Sequence, residues 1–355
     1  DRIANTSISR RRAVQGAAAL GIAGPALSLG LAGNAAAQED RPVLRFGSSE
    51  ADIQTLDPHL ASGTQDRTVV DMVFNGLVRY KPGTVTELEP DIAAEMPTSV
   101  DNDDGTQTWT IKLRDDVMVH PSETAGTESY ALTSADVVFS LQKAANPDTS
   151  SYSADYEGWT VEAVDDTTVE ITLEQPVTET LFLPNIANYA GGFIIPQQPF
   201  EALGADGFNA NPVGTGPFMF ESYTPQNSTT LVAFDDFFRG APQLGGVEVR
   251  YVADATSREL ALQSGDLDVI NGLPEAQWVD RMNEQEGLIA DVFGVGEVTF
   301  LNINTEIEPF NDPLVREAVM KAISREGHIA LFGDPVGEKV FSVVPAQLMP
   351  GGLTE

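Results

Sequence analysis

The chain has 355 residues, no cysteine, and 53 acidic against 20 basic side chains, a formal charge of −33. That balance excludes the phosphate-driven nucleic-acid binding that needs basic patches. The missing thiols exclude disulfides, thiolate metal sites and a lipid-anchored N-terminal cysteine.

The first forty residues read as an export signal. Ser9-Arg10-Arg11-Arg12-Ala13-Val14 supplies a twin arginine, Gly16 to Gly33 a mild apolar run, and Ala35-Ala36-Ala37 the small residues of a cleavage site. A cleaved twin-arginine (Tat) signal over residues 1–37 is the expectation. A retained anchor is the alternative, but the run is mostly Ala and Gly and is broken by Pro25. A spanning helix needs about 20 predominantly apolar residues. Removing residues 1–37 takes away one acid and four arginines and leaves −36. Such an excess reads as solvation at high ionic strength, where salt screens self-repulsion, and hence as a salt-adapted source. It suits a neutral or cationic ligand better than an acidic one.

The remainder is long enough for two domains, and its elements read as mixed α and β. Val43 to Ser48 is an apolar strand leading into a turn at Leu56-Asp57-Pro58-His59. Thr68 to Tyr80 places Val69, Val70, Val73, Phe74 and Leu77 at helical spacing. Asp101 to Gly105 is a turn cluster before the alternating Thr108 to Arg114, a hairpin signal. Val137 to Ala144 is a helix with Thr133 or Ser134 as N-cap. Thr160 to Val164 and Thr168 to Leu173 flank Asp165-Asp166 as a second hairpin. Strands follow at Leu231 to Phe234, Val247 to Val252 and Val298 to Ile303, with helices at Ala255 to Gln263 and Pro313 to Ala322.

Catalytic constellations fail in turn. His59, His120 and His328 have no second His at ligand spacing, so each reads as a turn or surface residue rather than a metal ligand. Asp101-Asn-Asp-Asp-Gly105 resembles a calcium loop, but its Gly comes one residue early and Lys112 stands where the closing Glu belongs. Gly214-Thr-Gly216 lacks both the Lys-Ser/Thr of a phosphate loop and the third Gly of a dinucleotide fingerprint. With 53 acids present, pairs such as Asp115-Asp116 arise by chance. No enzyme, no cofactor and no metal site is expected.

What remains is an ordered set of blocks. These are Leu56-Asp57-Pro58-His59, Val73-Phe-Asn-Gly-Leu77, Pro90 to Glu95, Trp109 to Arg114, Thr133 to Ser140, Asn211-Pro-Val-Gly-Thr-Gly-Pro-Phe218, Arg239-Gly-Ala-Pro242 and Leu260 to Asp268. The series closes on Val298 to Asn304 and Pro309 to Glu326. In this order they resemble the extracellular solute-binding proteins of family 5, the large receptors that feed ABC importers of peptides, nickel and some oligosaccharides. Within that resemblance Gly76 reads as a helix C-cap. The polar insertion Pro121 to Tyr130 departs from the family's usual turn, and the chain stops at Glu355 where family members continue.

The resemblance implies a two-lobed α/β periplasmic-binding-protein fold (a Venus flytrap) of the large peptide-binding type, with an extra subdomain and the second lobe incomplete. Lobe I is expected over 41–60 and 161–297, the subdomain over 61–160, and the start of lobe II over 298–355. It implies a monomeric receptor at the cell surface or in the periplasm, closing on a small peptide and docking on membrane permease subunits. An oligosaccharide or nickel complex is an alternative cargo, and an exported hydrolase the alternative of a different class. Matching positions assign ligand contacts to Ser48, Ser49, Glu50 and Asp52, to Ile270, Asn271 and Gly272, to Phe300 and Asn302, and to Tyr189 and Gly192. Asn211 to Phe218 reads as a structural turn, with ligand contact through Thr215 or the backbone as its alternative. Trp109, Trp159 and Trp278 read as core rather than as sugar platforms.

Overall fold

The computed structural model describes residues 41–84, 86–292, 300–333 and 336–341. In chain order the strands are β1 (Val43–Ser48), β2 (Val78–Tyr80), β3 (Leu88–Pro90), β4 (Thr98–Asp101), β5 (Gln107–Lys112), β6 (Met118–Val119), β7 (Tyr130–Ala131), β8 (Trp159–Asp165), β9 (Thr168–Leu173), β10 (Phe218–Thr224), β11 (Ser228–Ala233), β12 (Gly246–Tyr251) and β13 (Val269–Ile270). The longer helices are α1 (Thr64–Val73), α2 (Ser134–Ala144), α3 (Gln197–Ala210), α4 (Ala255–Ser264), α5 (Ala276–Asn283), α6 (Pro313–Ala322) and α7 (Arg325–Phe332).

The main sheet runs β10-β11-β12-β1-β13. Its central strand β1 is parallel to β12 and to β13, whereas β10, β11 and β12 pair antiparallel. Three parallel strands therefore end together at Ser48, Tyr251 and Ile270. The second sheet, β4-β5-β9-β8, is two hairpins joined through β5 and β9. Alternation in β9 buries Val169, Ile171 and Leu173 on one face, as a half-covered antiparallel sheet requires. The polar insertion Pro121 to Tyr130 is closed at its base by a short pair, β6 with β7.

One apolar cluster joins these parts. Val69, Val70 and Val73 of α1 are buried in it with Ile92, Ile111, Ile171, Phe208, Leu231 and Val249. Trp109 stacks on Phe182 with ring centroids 4.1 Å apart, so it belongs to the core. A buried ion pair crosses the cluster: Lys143 of α2 lies 2.9 Å from Asp57, both side chains at most 5% exposed. Lys143 also donates to Thr149 O at 3.0 Å, so the charge is both paired and hydrogen-bonded, the condition for tolerating it there.

Four expectations need correction. The helix expected over Thr68 to Tyr80 lies at Thr64–Val73, and Val78–Tyr80 is a strand. The apolar residues 74 to 78 continue the helical rhythm only because that stretch is buried on every side. Gly76 is no helix C-cap, since Phe74 is extended and ends the helix. Gly76 instead lies against the chain at Ala187–Asn188, where a Cβ would overlap backbone. Residues 300–303 form no strand, while Val298 and Thr299 lie outside the described residues. Among the described residues no strand lies beside 300–303 to complete their backbone hydrogen bonds. The boundary expected between 160 and 161 falls inside β8, whose sheet continues to Leu173.

The export-signal residues 1–37 also lie outside the described residues. Among the described residues no helix is long and apolar enough to cross a membrane.

Candidate functional site

Ligands of open α/β sheets sit beyond the carboxyl ends of parallel strands. Here that crown is built by β1, β12 and β13. Gly47, the penultimate residue of β1, has the Leu267 and Ile270 side chains where a Cβ would stand, which draws β13 close. Asn271 then grips the end of β1 twice. Its N–H donates to Gly47 O at 3.0 Å, and its side-chain Oδ1 accepts from Ser49 N–H at 3.1 Å. On the other side Val252 N–H donates to Ser48 O at 3.0 Å.

Arg258 locks the crown from below. Only 3% exposed, it donates from Nη1 to the carbonyls of Val252 and Ala253 (2.7 and 2.9 Å) and from Nε to Asn271 O at 3.1 Å. One guanidinium thus joins the ends of β12 and β13. Burial pulls its pKa down, and the carboxylates of Asp254 and Glu50 oppose that shift. Asp52 turns away from Arg258 and accepts from Tyr223 OH of β10 at 2.8 Å. Burial and that carboxylate push the Tyr223 phenol up to about 12. Further along the loop, Asp66 of α1 accepts from Gln54 N–H at 2.7 Å, and Asn209 of α3 accepts from Leu56 and Asp57 N–H. The segment from Ser48 to Asp57 is therefore pinned at both ends.

The expected contacts divide into groups. Ser48, Ser49, Glu50, Ile270, Asn271 and Gly272 meet at this crown, with Ser48 buried and Glu50, Asn271 and Gly272 exposed. Gly272 packs against the indole of Trp278, whose Nε1 donates to Glu259 at 3.1 Å. Asp52 borders the crown through Tyr223. Tyr189 belongs to a different cluster, with Arg67 and Tyr152. Gly192 is buried, with Ala187 O and Asn185 O where a Cβ would stand, and is structural. Phe300 and Asn302 are exposed and lie on no strand.

The Asn211 to Phe218 segment is structural as expected, and Thr215 is fully buried, its hydroxyl 3.1 Å from Asn75 Oδ1. The segment is stitched to His120, whose ring accepts from Gly214 N–H (3.3 Å) and bonds Gly216 O (2.8 Å). That pairing places the proton on Nε2. Burial pulls His120 down to about 4 and His59 down to about 3, so both rings are neutral at pH 7. His59 is a buried turn residue, His120 is buried and is neither the turn nor the surface residue expected, and His328 is exposed. Among the described residues no group of three His, Asp or Glu side chains is placed to hold a metal ion.

Arg258, Tyr223 and Arg67 were not legible as site residues. Tyr223 and Arg67 meet their partners across long sequence separations, and a lone arginine in a helix, such as Arg258, reads as an ordinary surface charge.

Residues 87–352 match the model of the bacterial extracellular solute-binding proteins, family 5 Middle. Heme-binding protein A of Haemophilus influenzae is 28% identical over 308 residues, covering 81% of this chain and 54% of that protein. The dipeptide-binding protein of Escherichia coli is 27% identical over 317 residues, covering 84% and 57%. Among solved structures, MoaA from A. tumefacien R10 in complex with mannopinic acid has a TM-score of 0.74 at 36% identity, covering 86% of this chain and 60% of that one. DppA from Helicobacter pylori in complex with the peptide STSA has a TM-score of 0.69 at 26% identity, covering 84% and 60%. The chain spans just over half the length of the curated relatives it matches. It belongs to the bacterial extracellular solute-binding proteins of family 5, with the periplasmic-binding-protein fold of that family.

Proposed function

We propose that this chain is part of an extracytoplasmic receptor that captures a small solute, with short peptides the first candidate, and delivers it to the permease of an ABC importer. The observation that carries the reading is the crown itself. Three parallel strand ends are held rigidly by Asn271 and Arg258, and Glu50, Asn271 and Gly272 are exposed beside them. Exposed backbone at strand ends bonds any peptide main chain, which supports sequence-tolerant binding. The crown would supply one face of a cleft, with ligand favouring the closed form because it touches both lobes. Relatives named for the dipeptide or haem they bind, rather than for a reaction, support a receptor over an exported hydrolase.

A small organic acid is the second cargo, favoured by the MoaA structure, whose ligand is mannopinic acid. Residues 1–37 would direct export, and the acidic surface would suit a saline exterior. Native mass spectrometry of the full-length mature protein, purified gently in high salt, tests the reading by identifying the solute it releases. A heterogeneous set of short peptides is the expected result. A single acid, sugar or metal complex would replace the cargo and keep the receptor. An apo protein that also ignores a screen of peptides and small acids would overturn the receptor reading.

A further inference from the structure

Tyr189, assigned to the ligand cleft on the resemblance alone, stands in a cluster that the crown does not explain. Arg67, in the first turn of α1, donates from Nη1 to Tyr189 OH at 2.7 Å and from Nη2 to Tyr152 OH at 3.2 Å. Its guanidinium carbon also lies 4.3 Å from the centre of the Tyr189 ring, within cation–π range. Tyr152 passes its own proton to Ala61 O at 2.6 Å, so its place is fixed by backbone. Tyr189 is 47% exposed, and among the described residues its hydroxyl proton has no acceptor. The residue after it, Ala190, has φ 54, a conformation non-glycine residues seldom adopt. Such conformations cluster at active sites and ligand clamps.

The choice of partners is the unusual point. In a chain of 53 acids and 20 bases, seven other arginines among the described residues are ion-paired with carboxylates. Arg258 and Arg316 bond backbone carbonyls, and Arg67 has phenols. Asp71, one helical turn further and in reach of an ordinary i,i+4 pair, takes Asn188 at 2.8 Å. Arg67 Nε is buried without a partner, and the two phenols use one donor on each terminal nitrogen. The guanidinium is held in place with its charge uncompensated and donors unspent. Asp66, the residue before Arg67, accepts from Gln54 N–H on the loop leaving β1.

We propose that Arg67, with the hydroxyls of Tyr189 and Tyr152, receives a carboxylate of the solute. The fork geometry of a guanidinium suits a planar carboxylate, and the Tyr189 proton adds a further donor. The acidic surface favours neutral or cationic solutes on average, so a reserved cation is what admits an acid or the carboxyl end of a zwitterion. The inference rests on the receptor reading and sharpens it to a solute with a free carboxylate, whether a peptide C-terminus or a small organic acid.

Calorimetric titration of the full-length mature protein tests it, using alanine di- to tetrapeptides as free acids and as C-terminal amides, and mannopinic acid as a separate arm. The expected result is binding of an acid but about ten- to a hundredfold weaker binding of its amide, the usual worth of a charged hydrogen bond. Arg67→Gln would bring the acid down to the affinity of the amide, and Arg67→Lys would restore part of the difference. Tyr189→Phe would cost the acid a smaller factor. For mannopinic acid the same variants would weaken binding without an amide comparison. If an acid and its amide bind equally, or Arg67→Gln weakens both alike, the receptor stands and the carboxylate site falls. If none of these compounds binds, the peptide and small-acid readings fall and the carboxylate site with them.

Discussion

Helices α2 and α6 are equally legible in the sequence, yet they differ in what they bury. Helix α2 has Thr133 as N-cap in a capping box with Asp136, which accepts from Thr133 N–H at 3.0 Å, and it buries Val137, Ser140, Leu141, Lys143 and Ala144. Helix α6 is capped as well, by Asp312 on Leu314 N–H, with Pro313 in its first turn, and it buries nothing. Leu314 and Met320 are 72% and 66% exposed. Caps and apolar spacing therefore suffice to specify a helix. Burial depends on surfaces brought by other parts of the molecule, and α2 has those surfaces among the described residues while α6 does not.

Four substitutions or conditions would break or sharpen this contrast. The largest effect belongs to Lys143→Met, which leaves Asp57 charged and unpaired in the core beside α2. Loss of about 3–5 kcal/mol in urea unfolding is expected, and a loss near zero would mean the pair lies open to water. Next comes Gly214→Ala, where the new Cβ would overlap Val73 O at the end of α1. Backbone cannot yield as a flexible side chain does, so about 1–3 kcal/mol is expected to disappear in the same assay.

Acid comes third. The folded pKa of His120, about 4, lies below the ordinary 6.5, so between these values the unfolded chain binds a proton that the native ring refuses. This contribution is complete above pH 6.5 and is lost as pH falls towards about 4, by up to about 1.4 kcal/mol per pH unit. His120→Gln, which does not titrate, should show a correspondingly flatter stability profile than the wild type over that window. Parallel profiles would show that the ring is not shielded. The smallest effect is expected on α6, where Leu314→Ser and Met320→Gln should each change stability by less than about 0.5 kcal/mol. A loss of several times that would show that α6 packs against something in solution.

The same contrast explains what could be read from sequence. β1, the two hairpins around Gly105 and Asp165-Asp166, and the helices at 134–144, 255–264 and 313–322 all carry local signals and stand where expected. Thr68 to Tyr80 misled because Leu77 and Val78 extend a helical rhythm while being buried as extended chain. Within the site, Ser48, Ser49 and Asn271 were reached by the resemblance, since they flank recognisable blocks. Arg258, Tyr223 and Arg67 act through partners met only in the folded chain, and nothing local separates them from surface residues. His120 shows the reverse case, because a residue read as turn or surface is buried and held by the backbone of Gly214 and Gly216.

The central claim is that the solute lies on the crown formed by the ends of β1, β12 and β13. Hydrogen–deuterium exchange of the full-length mature protein tests it most directly, comparing protein freed of solute with the same protein after its released solute is returned. Slower exchange in the peptides spanning 47–54 and 270–273 is the predicted result, with 211–218 unchanged because that segment is already buried and bonded. Protection confined to other segments, with the crown exchanging equally in both states, would contradict it.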